Sequence, residues 1–397
     1  MSKLNKSYVV IVAAKRTPVG SMLGQFAGMT APELGAAAIR ATAGLVPIKT
    51  SDIDEVIMGN VVSAGLKQAP ARQASLLAGL PNSVPCTTIN KVCGSGMKAV
   101  MLAHDQIKAG SAHSIIAGGM ESMSRAPYLI DRARQGYRMG HGQILDSLFL
   151  DGLEDAETGG SMGTFGQTTA DTEKFTREQM DEYAVESLQR ARAAQSGGRF
   201  LSEIAAVEVT QRSGVITVSE DEQPSKASID KIPNLRAAFA KDGTITAATS
   251  SSMSDGAAAL MIMSAAKAEE LGAVPIARIV AHASHAQAPS EFCKAPVGAL
   301  NKVLSNAAWK AGDVDLYEIN EAFAVVSMYA IRELGLAHDR VNINGGACAL
   351  GHPLGASGAR LLVTLIHALR TEGKATGVAS LCIGGGEATA LALELIG

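Results

Sequence analysis

The sequence predicts an α/β protein made of two duplicated halves, with a separate segment inserted in the first. Three observations carry this. Short β-branched apolar runs alternate with alanine-rich stretches of helical period. Landmarks early in the chain recur in the same order about 260 residues later. Glycine is abundant, at 41 residues, while aromatics make up only 4%, a balance suited to tight βα turns and close helix–sheet contacts.

The strand-like runs are Tyr8–Ala14, Glu55–Met58, Ser114–Ala117, Ala277–His282, Asp315–Ile319 and Ala379–Ile383. Helical stretches lie between them at Pro32–Ala43, Ala71–Gly79, Met97–Lys108, Gly298–Ala311 and Gly358–Leu369. This order reads as βαβ units around mostly parallel sheets. In the repeat, Asp52-Ile53-Asp54 before a strand ending at Asn60 corresponds to Asp313-Val314-Asp315 before a strand ending at Asn320. Ile115–Glu121 corresponds to Leu381–Glu387, and between these landmarks Asn90–Met97 takes the place of Gly345–Gly358. The stretch from about 122 to 248 has no counterpart and carries runs of charge, so it reads as an insertion. Within it, Thr176-Arg177-Glu178-Gln179 has the pattern of a capping box at a helix start. The expected division is 1–121 plus about 249–270, an inserted domain over 122–248, and a second half over 271–397.

Composition narrows the function. The chain has 397 residues, 47% hydrophobic and 18% charged, enough for two or three packed units and inconsistent with disorder. A net charge of −3 with no basic tract gives no nucleic-acid footprint. No apolar run is long enough to span a bilayer. Met1–Lys6 leads almost directly into the first strand run, without the apolar stretch and cleavage site of an export signal. The five cysteines, Cys86, Cys93, Cys293, Cys348 and Cys382, are odd in number and lack zinc-ligand spacing. A reduced, cytoplasmic setting is therefore expected, with neither a disulfide framework nor a metal.

Four segments have chemical potential. Cys93, in Asn90-Lys91-Val92-Cys93-Gly94-Ser95-Gly96-Met97, falls at a tight turn entering a helix. Amide N–H groups there favour a thiolate nucleophile, although a buried inert cysteine is the commoner case. His352 lies between Gly351 and Pro353 at the head of a helix, where it suits a cap, a general base or an oxyanion donor. Cys348 on the same loop reads as packing. Cys382 precedes Gly384-Gly385-Gly386 at a strand end; alone it reads as core, but the repeat puts it at the edge matching the site. Asn320-Glu321-Ala322-Phe323 follows a strand, and is either a site for an ordered water or a plain helix cap.

Together these four segments resemble the signatures of the thiolase family, in order and spacing, and the likeness extends over nearly the whole chain. Arg16-Thr17-Pro18, Gly59-Asn60-Val61, Pro70-Ala71-Arg72-Gln73, Gly118–Ser124 and Asp255-Gly256-Ala257-Ala258 support it. The resemblance implies a five-layered αβαβα sandwich with an inserted loop domain. It implies a ping-pong reaction in which two acetyl-CoA give acetoacetyl-CoA and CoA through an acyl thioester on Cys93. His352 would activate the thiol, and Cys382 would move the proton at the α-carbon. One oxyanion hole would use His352 with a water on Asn320, the other the amides of Cys93 and Gly384. The coenzyme A and acyl groups would contact Leu153, Met162, Ser251, Phe292, Ala322 and Phe323. CoA is then substrate and product, no resident cofactor is needed, and a homo-tetramer is expected, with a dimer as fallback. Ser161-Met162 replaces the family's His-Met pair, and Thr249-Ser250-Ser251 its Asn-Ala-Ser. The resemblance also admits a degradative thiolase of broad chain length and a non-catalytic lipid-binding scaffold. The scaffold would be expected to lack Cys93 or His352. Related ketoacyl synthases carry a second His or Asn in place of Cys382, and a cysteine hydrolase would need no acceptor thiol.

Overall fold

The computed structural model describes residues 8–212 and 214–396; Met1–Lys6, read above as carrying no export signal, lies outside them. The first half runs β1 (Val9–Arg16), α1 (Ala31–Ala43), β2 (Glu55–Gly59), α2 (Pro70–Leu77), β3 (Cys86–Ile89), α3 (Ser95–Ala109), β4 (Ser114–Ser122) and, after the insertion, β5 (Ser254–Ser264). The second runs β6 (Ala277–Ala286), α4 (Ala295–Ala307), β7 (Leu316–Ile319), α5 (Ala324–Leu334), α6 (Leu354–Glu372), β8 (Thr376–Ile383) and β9 (Glu387–Leu395). The principal strands follow the order β7-β8-β9-β6-β1-β5-β4-β2-β3. The halves join where Val10 and Ile11 of β1 meet Arg278 and Ala277 of β6.

The repeat is visible in this order. β2 pairs parallel with β4 as β7 does with β8. β4 pairs antiparallel with β5 as β8 does with β9. Val341, making one parallel bridge to Tyr317, stands where β3 stands in the first half. The expectation of mostly parallel sheets is corrected: most pairings are antiparallel, including those of the long strands β5 and β9, which the reading of strand runs missed. The cause in the second half is local. Gly385 (φ +90°) and Gly386 (φ +84°) turn the chain straight back after β8, so β9 returns without a crossover helix.

Alternation along fully apolar strands explains the layering. Ala258, Leu260 and Ile262 of β5 face a core shared with α3 and α6. The intervening Ala257, Ala259, Met261 and Met263 face α1 and α2. In the second half, α4 packs on the opposite faces of β6 and β9. Both faces of the sheet are thus covered in each half, giving five layers with α3 and α6 in the middle. Helix boundaries agree with the sequence to within a few residues. The capping box at Thr176 is present, with the backbone amide of Gln179 donating to the Thr176 hydroxyl and that of Thr176 donating to the Gln179 side chain.

The inserted segment carries the helices Met162–Thr172 and Arg177–Ser196 and two short hairpins. Two buried polar clusters anchor it. Arg16, fully buried, donates to Glu203 (2.5 Å) and bidentately to Asp221 (2.7 and 2.9 Å). Glu321 accepts from Tyr183 (3.0 Å) and Ser187 (2.8 Å) of the insertion, and from Asn342 (2.9 Å) of the second half. Removing one partner of such a buried pair strands a bare charge, at a cost of about 3–5 kcal/mol. None of the helices among the described residues is long and apolar enough to cross a membrane.

Candidate active site

Cys93 lies two residues before α3, at a turn the chain enters under strain. Val92 adopts φ +46°, a left-handed conformation unfavourable for a β-branched residue. The turn is held by Ser95, whose Oγ accepts from the Lys91 amide (2.8 Å) and donates to the Val92 carbonyl (2.7 Å). His352 sits in the matching place before α6. The N-cap of α6 is Pro353, so His352 is not a cap and its ring is available for other work.

The two helix starts are brought together by glycine. A methyl group added to Gly96 would lie 2.9 Å from the Ala359 nitrogen, and one on Gly358 would lie 2.4 Å from the Met97 nitrogen. Only bare backbone permits this approach. As a result Cys93 and His352 open onto one apolar cavity of about 280 Å³. Its wall includes Leu153, Met162, Ser251, Phe292, Ala322, Phe323 and Gly384. The structure thus gathers into one place residues spread over more than half the chain. Asn320 and Cys382 stand behind this wall. The Asn320 side-chain amide is 3.4 Å from His352 Nε2, and Asn320 Oδ1 is buried with no partner. Cys382 is fully buried in an apolar cluster with Phe292, Cys293 and Phe323.

Burial governs the titration of the site. It pushes the Cys93 thiol up to about 11, although the backbone amides of Gly384 and of Cys93 itself hydrogen-bond to the sulfur and act in the opposite direction. This corrects the expectation of a thiolate at the helix entrance: taking the sulfur out of water costs more than the helix end returns. Burial also raises the Cys382 thiol well above its ordinary value, with Cys293 and Cys93 adding to the shift. His352 is lowered to about 3, first by burial and then by Arg360. Its tautomer follows from its neighbours. Ser357 Oγ donates to the Pro353 carbonyl (2.9 Å), so at its contact with His352 (2.5 Å) it accepts from the ring Nδ1–H. That leaves Nε2 unprotonated, as a base requires.

The remaining expectations fall as follows. Asn320 and Glu321 are not a helix cap, since that position belongs to Phe323. Glu321 instead ties the insertion to the second half, and the Cys348 amide donates to it (3.0 Å). Ser161 occupies the N-cap position of the helix Met162–Thr172, without a side-chain capping bond, and borders the cavity beside Met162. Sequence reasoning missed Glu121, a fully buried carboxyl raised to about 7 by burial. It accepts from the amides of Val61 (3.0 Å), Val62 (3.2 Å) and Gly355 (2.8 Å), fixing the start of α6 next to His352. Its only signal was an acidic residue inside an otherwise apolar strand.

A cysteine and an uncharged histidine on one apolar cavity, with two backbone amides aimed at the sulfur, define an enzyme of the acyl-transfer class that works through a cysteine. Comparison with known proteins gives the family. The description "Thiolase, N-terminal domain" matches residues 9–266 and "Thiolase, C-terminal domain" matches 273–395; the chain belongs to the thiolase family. It is 49% identical over 387 residues to an acetyl-CoA acetyltransferase of Pseudomonas aeruginosa, covering 97% of this chain and 98% of that one. It is 48% identical over 387 residues, with the same coverage, to an acetyl-CoA acetyltransferase of Escherichia coli. Among solved structures, an acetyl-CoA acetyltransferase of Bacillus anthracis superposes with a TM-score of 0.96 at 38% identity, covering 98% of this chain and 99% of that one. A thiolase of Ascaris suum in complex with coenzyme A superposes at 0.92 and 41% identity, covering 98% and 100%.

The titration state has a measurable consequence. In the unliganded enzyme the Cys93 thiol and His352 are both neutral, so alkylation of Cys93 by iodoacetamide should rise about tenfold per pH unit through the neutral range. A plateau beginning below pH 6.5, the ordinary histidine value, would reveal a thiolate–imidazolium pair instead. Mass spectrometry of the Cys93 peptide reads the rate.

Proposed function

We propose that this chain catalyses the reversible condensation of two acetyl-CoA to acetoacetyl-CoA and CoA. The observation that carries the reading is the joint opening of Cys93, His352 and Gly384 onto one small apolar cavity. In the first half-reaction His352 Nε2 takes the Cys93 proton as the sulfur attacks the acetyl carbonyl. The carbon–sulfur bond to CoA breaks, the thiolate leaves with that proton, and the acetyl group remains on Cys93. In the second, Cys382 passes its own proton to His352 Nε2 and, as a thiolate, removes a proton from the methyl carbon of another acetyl-CoA, which leaves His352 protonated as a donor. The carbanion attacks the acetyl-Cys93 carbonyl, and collapse frees the Cys93 sulfur, which takes the proton back from His352. Because the resting Cys93 thiol is neutral, proton transfer and attack are coupled in the first half-reaction.

Charge on the two thioester oxygens needs two sets of donors. The amides of Cys93 and Gly384 serve the acyl group on Cys93. His352, with a water held by Asn320, serves the second acetyl-CoA, a role the unpartnered Asn320 Oδ1 supports. Each such donor is worth roughly a hundredfold in rate or more. Ser251, whose hydroxyl donates to the Ala322 carbonyl (3.0 Å), keeps lone pairs free to accept from a pantetheine amide. Met162 and Leu153 contact the same arm, with Ala322 and Phe323 on its other side. CoA acts as substrate and product, with no resident cofactor.

We read the division as 1–121 plus about 249–270, 122–248 and 271–397, supported by the matched strand order of the halves. We place the enzyme in the cytoplasm as a homo-tetramer. The edge strand β3 and an exposed apolar hairpin with Tyr128, Ile130 and Ile144 support self-association. A monomer by light scattering at micromolar concentration would contradict it.

A brief pulse of labelled acetyl-CoA should leave a thioester on the Cys93 peptide. Cys382→Ser should retain that transfer while losing carbon–carbon bond formation by at least about a hundredfold. Equal loss of both steps would remove Cys382 from its proposed role.

Acyl length is set by Phe292. It is 3% exposed and packs edge-on against Phe323, with ring centres 6.3 Å apart, so it closes the end of the cavity to added methylenes. Acetoacetyl-CoA should be cleaved with a higher specificity constant than 3-ketopalmitoyl-CoA, and Phe292→Ala should narrow the gap. A wild-type preference equal to or favouring the long substrate would replace this reading with a broad-range degradative thiolase.

A further inference from the structure

At the other end of α3 from Cys93, three donors converge that the sequence keeps far apart. His104 and Asp105 lie on α3, and His282 reaches them from β6. His104 Nδ1 is 3.2 Å from His282 Nε2, and Asp105 Oδ1 is 3.0 Å from the first and 2.8 Å from the second. The two rings meet edge to face, with centres 4.9 Å apart. We propose that His104, Asp105 and His282 form a binding site for one divalent transition-metal ion of the zinc type, joining the two halves of the fold.

Proton counting supports a cation here. Each nitrogen of the triangle carries at most one proton, and the carboxylate carries none when ionised. If both rings donate to Asp105, two N–H groups face each other across 3.2 Å. If one ring donates to the other, the accepting nitrogen is bare and faces the carboxylate, across 2.8 Å when it is His282 Nε2 and 3.0 Å when it is His104 Nδ1. Each arrangement leaves one edge unfavourable. A single cation at the centre satisfies all three edges.

Size agrees as well. Metal–donor bonds of about 2.0–2.1 Å at the tetrahedral angle require donor separations of about 3.3 Å. The observed triangle need expand by only a few tenths of an ångström on two edges. Two imidazoles and one carboxylate form a donor set for zinc, cobalt or iron(II), not for magnesium or calcium. The Asp105 side chain is 52% exposed while the two rings are 12% and 18% exposed, so solvent can supply a fourth ligand. Nine residues of α3, or about 13 Å, separate the site from the nucleophile turn, so the ion would be structural and would not take part in the acyl transfer.

The test is a cobalt(II) titration of the intact, chelator-treated enzyme, read by visible absorption and equilibrium dialysis. One cobalt per chain is expected, without a thiolate-to-cobalt charge-transfer band. His104→Gln, His282→Gln and Asp105→Asn should each weaken binding by about tenfold or more, and zinc should raise the melting temperature of the wild type but not of His282→Gln. Asp105, being exposed, provides a variant that folds if the histidine changes do not. No stoichiometric binding, binding with a thiolate band, or binding indifferent to all three substitutions would overturn the proposal.

Discussion

The contact between α3 and α6 at Gly96 and Gly358 is the constraint on which the rest of the structure depends. Each helix begins just after a residue with chemical potential, Cys93 in one case and His352 in the other. Two helices bearing ordinary side chains at the crossing would sit about 8–10 Å apart between axes, which would part the thiol from its base. With no Cβ on either side, backbone meets backbone. Gly119 of β4 extends the same constraint: a methyl group there would lie 1.9 Å from the Gly355 carbonyl oxygen, so β4 also holds the start of α6 against the sheet.

Burial then fixes the chemistry. The same close packing that assembles the site takes Cys93, Cys382 and His352 out of water, and all three are held neutral. A neutral imidazole and a neutral thiol make a weakly reactive resting site, protected from adventitious alkylation and oxidation. Reactivity has to come with the substrate, whose carbonyl oxygen takes up the amides now directed at the sulfur. Pre-set donors in an apolar cavity cost no reorganisation at the moment charge appears. The carboxyl of Glu121, held by three backbone amides, belongs to the same logic, since it fixes a helix start without adding an exposed charge to the cavity.

The insertion is joined to this frame through polar groups as well as through shared apolar clusters. Arg16 next to β5, with Glu203 and Asp221, secures one side; Glu321, with Tyr183, Ser187 and Asn342, secures the other. Such clusters are directional, so they set orientation where an apolar contact could slide. That matters because Met162, Ser161 and Leu153 come from the insertion while Phe292 and Phe323 come from the second half, and the cavity exists only when the two are in register.

The sequence by itself determined the duplicated α/β plan and most helix limits, and its family resemblance named Cys93, His352 and several other residues of the cavity. Period, turn chemistry and repeat spacing are local properties, and glycine-flanked Cys93, His352 and Cys382 carried them visibly. Tertiary structure alone decided the rest. The strands β5 and β9 are apolar on both faces, so no alternation marked them, and their antiparallel direction follows from returns the runs did not reveal. The protonation of Cys93 was misread because a helix entrance is local while desolvation depends on everything packed around it. Glu121 looked like one acid in an apolar strand until Val61, Val62 and Gly355 closed on it. His104 and His282 are 178 residues apart and show no ligand spacing; only the pairing of β1 with β6 and the packing of α3 bring their nitrogens within 3.2 Å, because proximity across a fold is set by topology and not by sequence distance.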